Sequence, residues 1–112
     1  MKAIVITQPG GPEVLQLEER PIPAISGKEV LIKVMAAGIN RPDIYQRKGN
    51  YPPPAWASQD IPGLEIAGIM EAIGTNGSRW NVGDKVCALV SGAGYAEYCS
   101  VPEGQCLRIP GN

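Results

Sequence analysis

The stretch Glu29-Val30-Leu31-Ile32-Lys33-Val34-Met35-Ala36 is a run of apolar and β-branched residues interrupted by a single lysine. It reads as a central strand covered on most of both faces, and the surrounding chain repeats the theme. Toward the N-terminus, Ala3 to Thr7 is a β-branched first strand, and Gly10-Gly11-Pro12 turns the chain. Val14 to Glu19 then alternates, with Leu15 and Leu17 set against Gln16 and Glu18, as a half-buried strand does. Pro21, Pro23 and Gly27 mark an extended connection into the central strand.

Toward the C-terminus the punctuation continues. Pro52-Pro53-Pro54 and Trp56 make a stiff loop that cannot pair in a sheet. Leu64 to Ile73 is a long strand that Gly68 bends or bulges. Asn76-Gly77 is a turn, Lys85 to Val90 a strand, and Gly92-Ala93-Gly94 a hairpin turn into a strand from Tyr95 to Val101. Pro102-Glu103-Gly104 leads into a last strand from Cys106 to Ile109. With 14 Gly and 11 Pro in 112 residues, many short strands alternate with turns. The expected fold is mainly β, a compact barrel or sandwich of one domain with one or two short helices.

The exception to the strand pattern follows the central strand, from Ala36 to Tyr51. Asn40 stands where a helix N-cap belongs, and Asp43 three residues on completes a capping-box-like pair. Pro42 falls early in the helix and Gly49 supplies a stop, so about ten residues make roughly two turns. This segment presents Asn40, Tyr45 and Tyr51 near a sheet edge. An amide and two phenols are donors and acceptors, not a metal cluster or a hydrolytic triad.

Composition excludes several classes of function. There is no histidine, which removes Ser-His and Cys-His catalysis and the usual catalytic zinc sites. Cys87, Cys99 and Cys106 are odd in number and lack Cys-x-x-Cys spacing, so they read as free core thiols. A Cys99–Cys106 bridge is conceivable only in an oxidising compartment. A net charge of -1 and no basic run beyond Arg47-Lys48 leave no footprint for nucleic acid or an anionic membrane. The short apolar run before Pro9 makes no signal peptide and no segment is long enough to span a bilayer, so a cytoplasmic location is expected. Gly92-Ala93-Gly94 opens a G-x-G pattern, but Glu97 takes the final glycine position and a strand follows, so it is no dinucleotide fingerprint. Glu65, at the head of an apolar strand, is expected to be partly buried and to need a partner.

Several motifs in order point to a family. Ala37-Gly38-Ile39-Asn40-Arg41-Pro42-Asp43, Pro62-Gly63-Leu64-Glu65-Ile66-Ala67-Gly68 and Val82-Gly83-Asp84-Lys85-Val86 resemble the N-terminal domain of medium-chain dehydrogenases/reductases. Gly10 to Leu15 and Gly94 to Tyr98 are similar to the quinone oxidoreductase, zeta-crystallin-like branch. Asn40-Arg41, Gln46-Arg47 and Tyr51 to Pro54 most resemble its p53-inducible quinone oxidoreductase-like group. The resemblance implies a GroES-like, partly open β-barrel over residues 1–112, with a Rossmann nucleotide-binding domain expected after residue 112. Zinc-dependent members carry Cys at the position of Asn40 and His at that of Leu64, so the resemblance implies a zinc-free enzyme. It also implies NADPH as cofactor, bound mainly by the other domain, and a quinone or another activated double bond as substrate. Asn40 and Tyr51 are then the candidate catalytic residues, and Asn40, Arg41, Tyr45, Tyr51 and Leu64 the candidate cofactor contacts, with no metal ligand. The full-length enzyme is expected to be a homo-oligomer, and the chain alone to be inactive. An enoyl-thioester reductase of the same superfamily, in which the residue matching Tyr51 looks like a proton donor, is the alternative within the class. A stand-alone GroES-like binding or assembly module is the alternative outside it. The plainer alternatives are a helix cap alone for Asn40 and an ordinary surface residue for Tyr51.

Overall fold

The computed structural model describes residues 1–111. Among these residues are seven strands: β1 (Lys2–Ile6), β2 (Leu15–Glu19), β3 (Glu29–Ala37), β4 (Glu65–Ile73), β5 (Lys85–Leu89), β6 (Tyr98–Pro102) and β7 (Cys106–Arg108). One α-helix, α1 (Arg41–Arg47), follows β3, and single 3-10 turns occupy Pro12–Val14 and Glu103–Gln105. Five strands form an antiparallel sheet in the order β6-β3-β4-β5-β7, while β1 and β2 form a separate antiparallel ribbon. The two sheets do not close on each other, which makes a partly open barrel.

The segment just before β6 joins them. Ala3 bridges to Ala96, the Ile4 amide donates to the Tyr95 carbonyl at 2.8 Å, and the Val34 amide donates to the Glu97 carbonyl at 2.8 Å. One short segment therefore satisfies a free edge of each sheet, groups that burial would otherwise leave unpaired.

Alternation along the strands fills the interior. Val30 and Ile32 on β3, Ile66 and Met70 on β4, Val86 and Ala88 on β5, Cys99 and Val101 on β6 and Cys106 on β7 form the main core. Ala3, Val5 and Ile61 form a smaller core under the ribbon. β3 is central, as expected, but covered on both faces only over Val30–Ile32; Lys33 and Met35 to Ala37 are exposed. A bulge between Val34 and Ala36 turns its last residues outward, opposite Gly68 on β4. A side chain at Gly68 would collide with the Lys33 carbonyl, so the bulge requires glycine there.

Three local expectations are corrected. Leu17 is 62% exposed, because β2 pairs only with β1 and nothing packs over that part of the ribbon. Tyr95 lies outside β6, in the bridging segment rather than in a strand. Gly92-Ala93-Gly94 is not a hairpin turn, since β3 and β4 lie between β5 and β6 in the sheet. It runs instead beside Ile61–Gly63, with amides of Ala93, Gly94 and Tyr95 donating to carbonyls of Ile61, Gly63 and Pro62.

Candidate functional site

Asn40 is the hinge between strand and helix. Its backbone is extended, with φ -124° and ψ 154°, and it caps α1 as the sequence predicts. The Asn40 amide N–H donates to Asp43 Oδ2 at 2.9 Å, and the Asp43 N–H donates to the Asn40 carbonyl at 3.0 Å. These bonds fix the first turn of a helix too short to be stable on its own.

Asp43 does more than cap. Its side chain is buried, and the Tyr95 hydroxyl donates to the same Oδ2 at 2.5 Å, across 52 residues of sequence. The Tyr95 hydroxyl also lies 3.5 Å from the Gly38 carbonyl. Burial, then the hydrogen bond to Asp43 and its charge, push the Tyr95 phenol far above its ordinary value, so it stays a donor. Tyr95 is itself held close: Gly63 has φ +107°, and a side chain there would come within 2.7 Å of the Tyr95 ring and amide. Asp43 Oδ1 has no hydrogen-bond partner among the described residues.

On the other side of Asn40 stands Glu65, the first residue of β4. Asn40 Nδ2 donates to Glu65 Oε1 at 3.2 Å. Gly38 allows this approach, because a side chain there would fall 2.7 Å from the Glu65 carboxyl carbon. Glu65 is exposed, contrary to the expectation of partial burial, because the bulged end of β3 leaves that end of the sheet open. The partner it was expected to need is Asn40. Beside Glu65 lies a groove of about 420 Å³ walled by Gly38, Ala67, Cys87, Leu89 and Leu107.

The remaining candidates are spread around this corner. Leu64, half-buried, precedes Glu65, and its carbonyl accepts the Val90 amide at 2.8 Å. Arg41 and Tyr45 are both exposed and stand one helical turn apart, so they share a face of α1. Tyr51, also exposed, comes after Gly49, whose φ of +87° ends the helix. It lines a separate groove of about 380 Å³ with Thr7, Gln46, Pro52 and Gln59. The structure thus brings Asn40, Glu65 and Leu64 together, and puts Tyr51 beside other neighbours. Sequence reasoning missed Tyr95, because a tyrosine in a turn carries no local sign of its partner. The signal available was Asp43, a capping acid whose burial would demand a second donor.

Other chemistry is limited. Cys99 and Cys106 are buried free thiols; burial first, then neighbouring thiols, pushes Cys99 up to about 12 and Cys106 to about 11. Such thiols are not nucleophiles. The conceivable Cys99–Cys106 bridge is not formed, and Cys87 is only half-buried. Among the described residues, no cluster of three or more Cys, Asp or Glu side chains could hold a metal ion. No helix among them is long and apolar enough to cross a membrane.

An open antiparallel barrel with a capped helix after its central strand defines a class. The family described as alcohol dehydrogenase GroES-like domain matches residues 26–111, and the chain belongs to that family. Among individual proteins, it is similar to the quinone oxidoreductase of Lama guanicoe, 40% identical over 114 residues, covering 99% of this chain and 34% of that protein. It is 37% identical to the quinone oxidoreductase of Homo sapiens, over 98% of this chain and 34% of that protein. In structure it is similar to Escherichia coli quinone oxidoreductase complexed with NADPH, with a TM-score of 0.87 and 31% identity over 98% of this chain and 33% of that one. The human synaptic vesicle membrane protein VAT-1 homolog-like protein gives a TM-score of 0.89 at 33% identity, over 98% of this chain and 35% of that one. The chain spans about a third of the length of these relatives.

Proposed function

We propose that this chain supplies the catalytic half of the cleft in an NAD(P)H-dependent quinone oxidoreductase, with Asn40 at its centre. The observation that carries this reading is the double restraint on Asn40, by Asp43 and Tyr95 on the backbone side and by Glu65 on the side-chain side. A residue needed only as a cap would not call for a second strand to hold its amide. Similarity to quinone oxidoreductases, one of them complexed with NADPH, supports the same reading.

The residues suit a nicotinamide ring. Asn40 offers an amide to a carboxamide, and the adjoining groove has small and apolar walls that accept a flat ring. When bound, NADPH would supply the hydride that reduces a quinone or another activated double bond. This chain's residues orient and exclude water: Asn40 and Leu64 next to Glu65, which lines the groove, and Arg41 and Tyr45 along the exposed face of α1. Tyr51, on its separate groove, offers its hydroxyl as a donor to a substrate oxygen that gains charge. No metal is used in this reading, since Asn40 and Leu64 replace a thiolate and an imidazole. A Rossmann domain would provide most of the nucleotide surface, and these 112 residues alone bind NADPH weakly or not at all.

The test is Asn40→Ala in the enzyme that carries this chain. Turnover with quinone should fall about tenfold or more, the scale of a lost transition-state contact, with the melting temperature nearly kept. Unchanged turnover with a lowered melting temperature would reduce Asn40 to a helix cap, worth about 1 kcal/mol.

A further inference from the structure

We propose that Arg47 is a positioning residue for Tyr51: through its Nε, and not through its charge, it clasps the turn between β1 and β2 to the end of α1 and so fixes the groove that Tyr51 lines. This deepens the proposed function and rests on it for the role of Tyr51.

Two stretches whose likeness to quinone oxidoreductases is visible in sequence, Gly10 to Leu15 and Gln46-Arg47, meet in space. Arg47 Nε donates to the Gly10 carbonyl at 3.0 Å, and the Gly10 N–H donates back to the Arg47 carbonyl at 2.9 Å. Such a reciprocal pair fixes rotation as well as distance, which one bond would not. The turn depends on it. Its base is closed by the Thr7 amide and hydroxyl, both donating to the Val14 carbonyl at 3.0 Å. From Gln8 to Gly10, the hydrogen bonds among the described residues are the two with Arg47. Pro9 then lies against Gly49, where a side chain would come within 3.1 Å of the proline ring.

The same clasp is the seam of a groove. Thr7, Gln8 and Pro9 wall the groove of about 380 Å³ from the turn, and Gln46, Gly49 and Tyr51 wall it from the end of α1 onward. Both walls run into the Arg47–Gly10 pair, so their separation is set there. Tyr51 is tied to the helix by its neighbour Asn50, whose amide donates to the Tyr45 carbonyl at 2.8 Å. Arg47 makes no ion pair among the described residues, and the nitrogen it uses is Nε. A neutral donor at the same place would therefore serve.

The test uses the enzyme that carries this chain, with Arg47→Met, Arg47→Gln, Arg47→Lys and Tyr51→Phe. Residue 47 is partly exposed, so none of its substitutions opens the core. Methionine keeps the apolar stem without a donor. Glutamine places an uncharged N–H as many bonds from the backbone as Nε, and lysine keeps the charge but carries its donors further out. First, with tyrosine replaced by 3-fluorotyrosine, the fluorine resonance that disappears in Tyr51→Phe reports the surroundings of that ring. It should shift or broaden in Arg47→Met and return in Arg47→Gln. Second, quinone turnover at saturating NADPH should fall about tenfold in Arg47→Met, less than the roughly hundredfold that a misplacement of about 1 Å can cost, and Arg47→Gln should recover most of it. In the Tyr51→Phe background, Arg47→Met should cost only about twofold or less, because a residue acting through Tyr51 has nothing left to position. An unchanged fluorine resonance in Arg47→Met, or a tenfold loss that persists beside Tyr51→Phe, would overturn the proposal. Rescue by Arg47→Lys and not by Arg47→Gln would overturn it too, and would assign Arg47 to the helix dipole. If Tyr51→Phe alone leaves turnover unchanged, the reading of Tyr51 as a donor falls, and the fluorine resonance alone decides whether Arg47 positions that ring.

Discussion

The five-stranded sheet and the corner from Gly38 to Tyr51 are held by different forces. In the sheet, β3 and β4 register through apolar pairs, and residues such as Val30, Ile32 and Met70 are completely buried. In the corner, α1 buries only Asp43 and Gln46 along its length, both polar, and it is kept in place by Asp43, Tyr95 and Glu65. Burial of apolar area is non-directional and tolerant of small shifts, whereas a hydrogen bond specifies which atom faces which. The sheet supplies stability, and the corner uses it to hold an orientation. That division is what a site requires, because a group must be fixed more tightly than packing alone would fix it.

The contrast can be tested by breaking each region in its own way. Met70→Ala removes a fully buried side chain from the sheet and should cost roughly 2–5 kcal/mol in chemical denaturation. A loss below about 1 kcal/mol would mean the core collapses around the gap, and the sheet is not the stabilising region. Tyr95→Phe keeps the ring and removes the donor to Asp43. It should cost about 1–3 kcal/mol, because the buried carboxylate loses one of its two donors. The separation from Met70→Ala should lie in activity, with Tyr95→Phe lowering turnover by more than its melting temperature would suggest.

The smallest effect belongs to neither region. Arg20 pairs with Asp60 through two contacts, at 2.6 Å and 3.3 Å, and this hydrogen bonding holds the Asp60 carboxyl below its ordinary 3.8. A lowered folded-state value means the stabilisation is complete above 3.8 and is lost as pH falls through the lower value. Because both side chains are partly exposed, Asp60→Asn should cost less than about 1 kcal/mol at neutral pH. The difference between wild type and variant should vanish in acid. A melting-temperature series from neutral pH to below pH 3 checks it, and a gap that widens toward acid would contradict the sign.

How much of this was legible in the sequence follows from the same physics. Strand positions came within a residue or two, apart from the start of β6 at Tyr98 rather than Tyr95, because alternation and glycine punctuation are local. The capping box of Asn40 and Asp43 was legible for the same reason, three residues being within reach of one helical turn. The exposure of Leu17 and Met35 was not, since it depends on what lies across the sheet. Nor was Tyr95, whose partner is 52 residues away. The motif likeness to medium-chain dehydrogenases/reductases was visible in Ala37 to Asp43 and Pro62 to Gly68, and that to quinone oxidoreductases in Gly10 to Leu15 and Gly94 to Tyr98; the family match and the relatives agree with both.

By itself, the sequence determined that this chain would be a β-rich fold of short strands, with a capped helix after its central strand. Composition and local spacing carry that much, because propensity, turn chemistry and helix capping are properties of neighbouring residues. Only the tertiary structure decided which groups restrain Asn40. Tyr95 and Glu65 reach it from the segment before β6 and from β4, and hydrogen bonds between distant strands exist only once the sheets have brought their ends together.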